Sequence, residues 1–150
     1  MRKCFLFLSI LFFIPLLSFS QEDKKLKAVF DCAIGDLNWI SLRLSLIKKT
    51  AENLIREGKD YSFVITIHSQ CIPIVKKDLS SLPKEKKKKI EFIQSQLKTL
   101  KDFYNVDIKA CRIAMSRFKI ENVPRFIDTV PNSWITLIEL QNSGYAFVPF

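Results

Sequence analysis

The chain offers four cysteines and a single histidine as its chemically versatile side chains, and their spacing is informative. Cys111 closes the short apolar run Val106-Asp107-Ile108-Lys109-Ala110 and opens a helix-like segment over 112–118. A thiol between a strand's carboxyl end and a helix's amino end sits where α/β sheets place ligands and reactive groups. Backbone N–H groups there favour an anion, and so favour thiolate over thiol. Cys32 ends an earlier strand-like run, 27–32, and His68-Ser69-Gln70-Cys71 follows directly on another, Tyr61–Ile67. Cys32, His68, Cys71 and Cys111 should therefore gather at one edge of a sheet. Such a set suits thiol chemistry, and sulfur transfer through Cys111 is the leading expectation.

The elements that would position these residues follow from periodicity. Asp36 reads as the N-cap of a helix running to Arg56, in which Ile40, Leu44, Ile47, Ala51 and Leu54 recur at helical spacing. Trp39, Leu42 and Leu46 form a second apolar stripe, which points to a subunit interface. Gly58 ends that helix. The β-branched and aromatic run Tyr61–Ile67 reads as a strand buried on both faces. Residues 72–83 read as an apolar stretch followed by a loop. Lys84–Tyr104 forms a second long helix with Ile90, Ile93, Leu97, Leu100 and Tyr104 inward. A short strand within 126–130, a helix capped by Asn132 or Ser133, and a strand over 145–148 complete the chain.

Alternating strands and helices imply an α/β fold: an open, mostly parallel five-stranded sheet in a three-layer αβα sandwich. A flavodoxin-like strand order would make the strands of Cys32 and Cys111 neighbours, about 4.8 Å apart. A bridge or redox couple between those two would then be possible, with Cys32 and Cys71 as redox partners for Cys111.

Residues 1–20 read as a signal peptide. Arg2 and Lys3 precede a nearly unbroken apolar stretch, and Ser18 and Ser20 supply small residues ahead of Gln21. The apolar stretch is shorter than the roughly 20 residues a spanning helix needs, and Pro15 interrupts it. Residues 21–26 form a polar leader and 27–150 one domain. An exported protein, periplasmic or secreted and without stable membrane insertion after cleavage, is the expectation. The full chain carries 24 Lys and Arg against 15 Asp and Glu, a net charge of +9. Loss of Arg2 and Lys3 would leave it at +7. Much of the excess lies in Lys84-Glu85-Lys86-Lys87-Lys88-Lys89, where no aromatic residue interleaves as single-strand nucleic-acid binding would want. Nucleic acid is not an expected partner.

The order of elements and several motifs resemble the DsrE/DsrF-like family of small sulfur-relay and related proteins. The resemblance rests on Val29-Phe30-Asp31 with Gly35-Asp36, on Ile67-His68, on Ile108-Lys109-Ala110-Cys111, and on the ending Ile138-Glu139-Leu140-Gln141-Asn142-Ser143-Gly144-Tyr145-Ala146-Phe147-Val148-Pro149. It implies a persulfide-carrying cysteine at the place of Cys111, a basic helix residue at Arg117, and trimeric or hexameric assembly. A sulfur-donor or acceptor protein would be the partner. Two departures stand out: Arg112-Ile113-Ala114-Met115 keeps only the methionine of the segment usual after the cysteine, and Ser69 stands where a glycine commonly follows the histidine.

The site expected is thus Cys111 as sulfur acceptor, with Arg112 and Arg117 favouring its thiolate and His68 as a further candidate site residue, either a structural histidine or a general base. No Cys-x-x-Cys pair, phosphate loop, Ser-His-Asp set or catalytic carboxylate pair is present, so a thioredoxin-type protein, a conventional hydrolase or a nucleotide enzyme is not expected, and no cofactor is implied. A sulfur-transfer or thiol-redox protein fits better. Two alternatives come from the same residues. Cys32, His68, Cys71 and Cys111 could ligate zinc or copper(I), or the polar edge could merely bind a partner in a non-catalytic oligomer. Asp31 and Asp36 read as turn and cap residues.

Overall fold

Tyr61–Ile67 forms a strand with five consecutive buried residues, and the rest of the sheet is laid around it. The computed structural model describes residues 25–150; the expected signal peptide lies outside the described residues. In chain order the elements are β1 (Leu26–Cys32), α1 (Leu37–Arg56), β2 (Tyr61–Ile67), a 3-10 segment (Ser69–Val75), α2 (Lys84–Tyr104), β3 (Asp107–Cys111), α3 (Arg112–Arg117), β4 (Asp128–Val130), α4 (Ser133–Asn142) and β5 (Ala146–Pro149). Leu26, expected in the polar leader, is the first residue of β1.

The five strands run in the order β4-β3-β2-β1-β5, and every pairing is parallel. Side chains alternate between the two faces of each strand. One face presents Phe30, Cys32, Phe63, Ile65, Ile67, Ile108 and Ala110 to the inward stripes of α1 and α2. Those stripes are Ile40, Leu44, Ile47 and Ala51 on α1, and Ile90, Ile93, Leu97 and Leu100 on α2, as the spacing predicts. The opposite face packs Val29 and Val64 against Leu137 of α4, with Leu140 and Tyr145 alongside. The sandwich therefore has three layers, and its second helical layer is thin.

Local chemistry sets the boundaries. Asp36 Oδ1 accepts the backbone N–H groups of Asn38 and Trp39 at 2.9 Å, a cap worth about 1 kcal/mol. Asn132, rather than Ser133, caps α4 by accepting from Trp134 N. At the lysine-rich start of α2, Lys88 pairs with Glu85 and Lys87 with Glu91, both at 3.8 Å on the exposed surface, where such pairs contribute little. Among the described residues no helix is long and apolar enough to cross a membrane.

Two expectations fail here. The order places β2 between β1 and β3, so the strands of Cys32 and Cys111 are not neighbours. Alternation also turns Cys32 toward the α1–α2 layer while Cys111 faces α4, on the other side of the sheet. No bridge between Cys32 and Cys111 can form in this arrangement. Instead Cys32 is bonded to Cys71, with their Cα atoms 5.8 Å apart. The stretch expected to be an irregular apolar segment and loop begins as the 3-10 turn Ser69–Val75, whose Cys71, Ile72, Ile74 and Val75 are buried. That burial brings Cys71 back beneath the end of β1.

Candidate active site around Cys111

Cys111 is both the last residue of β3 and the N-cap of α3, the junction that the sequence predicts. It is only 4% exposed, yet it lies at the wall of an open cleft of about 550 Å³. His68, Ser69 and Gln70 line the cleft from the end of β2, Ile113 and Arg117 from α3, and Asn132, Ser133 and Trp134 from the start of α4. Among the described residues it is the free cysteine.

The polarity of this wall decides the state of the thiol. Burial alone pushes the Cys111 thiol up. Hydrogen bonding from the backbone N–H of Ser133, the backbone N–H of Ala114, the Ser133 hydroxyl and the backbone N–H of Ile113 acts the other way and wins, holding the thiol below its ordinary value. Two helix starts, those of α3 and α4, thus aim donors at one sulfur. Ser133 is 1% exposed and bonds the Cys111 sulfur through both backbone and hydroxyl, a role that periodicity, which assigns it only to a cap, does not show.

His68 lies across the cleft. Its Nε2 donates to Asp31 Oδ1 at 2.8 Å, and its Nδ1 is 2.8 Å from Ser69 Oγ. Thr66, fully buried and the register partner of Asp31, donates its hydroxyl to the same Oδ1 at 2.7 Å. The hydrogen bond to Asp31 raises the His68 imidazole above its ordinary value; burial opposes this, while the negative charges of Asp31 and Cys111 reinforce it. Asp31 is therefore neither a turn residue nor a bystander. The clue in the sequence was an acidic residue inside an otherwise apolar strand, at Val29-Phe30-Asp31-Cys32.

The backbone around His68 is pinned. Cys32 O accepts His68 N–H at 3.0 Å, Ala33 O accepts Gln70 N–H at 3.1 Å, and His68 O accepts Cys71 N–H at 3.0 Å. The Cys32–Cys71 bridge ties the same two segments covalently. At Gly35 a Cβ would stand 3.2 Å from Gln70 Cβ and 3.3 Å from Gln70 O, so a glycine lets the β1–α1 loop close onto this segment.

The predicted site residues thus separate into two groups. Cys111, His68 and Arg117 meet in the cleft. Arg112 does not: it lines a shallow surface with Ser116 and Pro131, because consecutive residues at a helix start point in different directions. Cys32 and Cys71 are fully buried and bonded to each other, so they are not thiol partners for Cys111. The bridge equally removes both from the four-ligand metal set with His68 and Cys111, since a disulfide sulfur carries no thiolate to give a metal. Among the described residues no three His, Cys, Asp or Glu side chains group to hold a metal ion.

Comparison with known proteins places the fold and the family. A protein of Aquifex aeolicus strain VF5, described only as uncharacterized, is 65% identical over all 150 residues; the chain spans 64% of that relative's length. Two solved structures share the fold. The protein of unknown function MTH1491 from Methanobacterium thermoautotrophicum superposes with a TM-score of 0.65 at 14% identity, over 84% of this chain and all of that one. The ychN protein of E. coli gives 0.52 at 14% identity, over 83% of this chain and 99% of the other. The family model of the DsrE/DsrF-like proteins matches residues 27–150, from the first strand to the last, and the chain belongs to that family.

Proposed function

We propose that this protein is a sulfur carrier in which Cys111 holds sulfane sulfur as a persulfide. Membership of the DsrE/DsrF-like family suggests a sulfur-relay or related role. The observation that carries the residue assignment is the lowered thiol of Cys111 at the wall of an open cleft. In the loading step the Cys111 thiolate attacks the outer sulfur of a donor persulfide. The donor's S–S bond breaks, its thiolate leaves and takes up a proton, and Cys111 keeps the transferred sulfur. Unloading is the reverse, toward an acceptor thiol. Nothing is oxidised or reduced overall. Backbone donors suited to a thiolate suit the terminal sulfur anion of a persulfide as well, and Arg117 adds positive charge at the cleft.

The test is intact-mass analysis after incubation with a low-molecular-weight persulfide. The wild-type protein gains the mass of one sulfur atom, and Cys111→Ser gains none. Equal loading of the variant would remove the assignment. The same spectrum reads the start of the chain: under the export reading the protein recovered from its natural host begins at Gln21. A buried disulfide fits that reading, being at home in an oxidising compartment, though heat-adapted cells also keep disulfides inside.

Self-association belongs to the same reading. Trp39, Leu42 and Leu46 on α1 are 42–49% exposed although apolar, and a second copy would cover them. The double substitution Leu42→Glu with Leu46→Glu should convert an oligomer to a monomer in sedimentation velocity while leaving the far-ultraviolet spectrum unchanged. A wild-type protein that sediments as a monomer at high concentration would end this part of the proposal.

A further inference from the structure

We propose that Asp31 and Ser69 are positioning residues for Cys111 that act through His68: together they hold its ring doubly protonated and fixed in the cleft that Cys111 walls, so that a cation there balances the thiolate. This rests on Cys111 being the reacting sulfur, but it concerns how that sulfur is kept ionised rather than what it carries.

The hydrogen-bond chain has only one consistent direction at its centre. Asp31 Oδ1 takes the Thr66 hydroxyl proton at 2.7 Å and faces His68 Nε2 at 2.8 Å. A carboxylate oxygen is an acceptor, so Nε2 must carry a hydrogen. The other ring nitrogen meets a hydroxyl, Ser69 Oγ, at 2.8 Å. A hydroxyl can accept from N–H as readily as it donates to a bare nitrogen, so the ring gains its second proton with no side chain moving. Thr66 is fully buried and His68 nearly so, which leaves little room for water at the Asp31 end of the chain, whereas Ser69 at the other end is exposed to the cleft.

Ser69 itself carries an unusual backbone. Its φ is +49°, in the left-handed region, whereas a glycine there would be unstrained. An L-residue held there loses on the order of 1–2 kcal/mol. Asn105 and Lys119 share this conformation, but only at Ser69 does the side chain bond the imidazole of the cleft. The strain falls on the residue adjoining the imidazole, in a cleft, where stored backbone strain is most often linked to function.

The charged and titratable groups facing His68 come from each packed element. Asp31 belongs to β1, Cys111 to β3, and Arg117 to α3. Lys109, the register partner of Thr66, lies on the same face of β3 two residues before Cys111. α4 offers the uncharged Asn132, Ser133 and Trp134, and the 3-10 segment offers Ser69 and Gln70. Among the described residues, Asp31 is the carboxylate hydrogen-bonded to the ring. The Cys111 charge helps to raise the imidazole, as a cation facing a thiolate requires, while the thiol itself is lowered by the hydrogen bonds from Ser133, Ala114 and Ile113.

The experiment is the pH dependence of Cys111 alkylation by iodoacetamide, with the disulfide intact, in wild type, Asp31→Asn and Ser69→Gly. Wild type should show an inflection below the value of about 8.5 for a free thiol. Asp31→Asn keeps the shape of the side chain but loses its charge. Its inflection should move up by about one unit, giving about a tenfold slower reaction at a fixed pH below both inflections. Ser69→Gly removes the second acceptor and should shift the profile in the same direction by about a factor of three, while its thermal midpoint is not lowered. Unshifted profiles in both variants would overturn the proposal. An Asp31→Asn protein that does not fold leaves the decision to Ser69→Gly, where lost stability with an unshifted profile would mean a structural role only. Failure of sulfur loading in wild type, with these shifts present, would instead count against the carrier function and leave the positioning intact.

Discussion

Reduction of the Cys32–Cys71 bridge should lower the unfolding free energy by about 4 kcal/mol. The two cysteines are 39 residues apart in sequence, and closing a loop of that length removes chain entropy from the unfolded state on this scale. For a domain of this size that is roughly 15 °C in Tm. The effect has a second origin in the folded state. The bridge joins the end of β1 to the 3-10 segment, so it closes a ring whose other link is the His68–Asp31 hydrogen bond. Without it, Cys71 would become an unpaired thiol in a site of zero exposure, and the segment carrying Ser69 and Gln70 would be held by hydrogen bonds and packing without a covalent tie. Urea denaturation in a Cys111→Ser background, with and without reductant, isolates the bridge from the reactive thiol. A loss below about 1 kcal/mol would mean that the two thiols are not joined in solution.

Ile65→Ala should destabilise the protein by a similar amount, about 3–5 kcal/mol. Ile65 is fully buried within the central strand, between Phe30 of β1 and Ile108 of β3 in register. It faces the α1–α2 layer, where packing from two helices and three strands leaves little freedom to collapse into the gap. The same deletion at Leu42, exposed on α1, should cost under about 1 kcal/mol in the isolated subunit. Equilibrium unfolding of Ile65→Ala and Ile65→Val together checks the mechanism. The valine variant should lose only about 1 kcal/mol. A small effect of Ile65→Ala would contradict the central position of β2, and with it the strand order that separates Cys32 from Cys111.

That strand order shows what local pattern can and cannot specify. Helices α1 and α2 were legible because their inward stripes repeat at the period of the helix, and burial enforces that repeat residue by residue. Tyr61–Ile67 was legible because a strand covered on both faces has no polar face to show. The position of Cys111 was also legible, since a strand end followed at once by a helix start is a local event. Its company was not. Nothing in the runs 27–32 and 107–111 says whether β2 lies between them, because parallel strands joined by helical crossovers carry no short-range signal of adjacency. The pairing of Cys32 with Cys71 followed from a 3-10 turn that buries Cys71, and turns of that kind have no periodic signature.

The sequence by itself determined the α/β class, the helices, and a thiol at the sheet's carboxyl edge, because each of these is dictated by side chains a few positions apart. Only the tertiary structure decided which sulfur stays free, that Arg117 and not Arg112 lines its cleft, and that Asp31 and Thr66 stand behind His68. Those choices depend on which strands lie side by side and which face each residue presents. The physical reason is distance along the chain: Asp31, His68, Cys111 and Ser133 are brought together by sheet register and helix docking, and no interaction between near neighbours encodes that meeting.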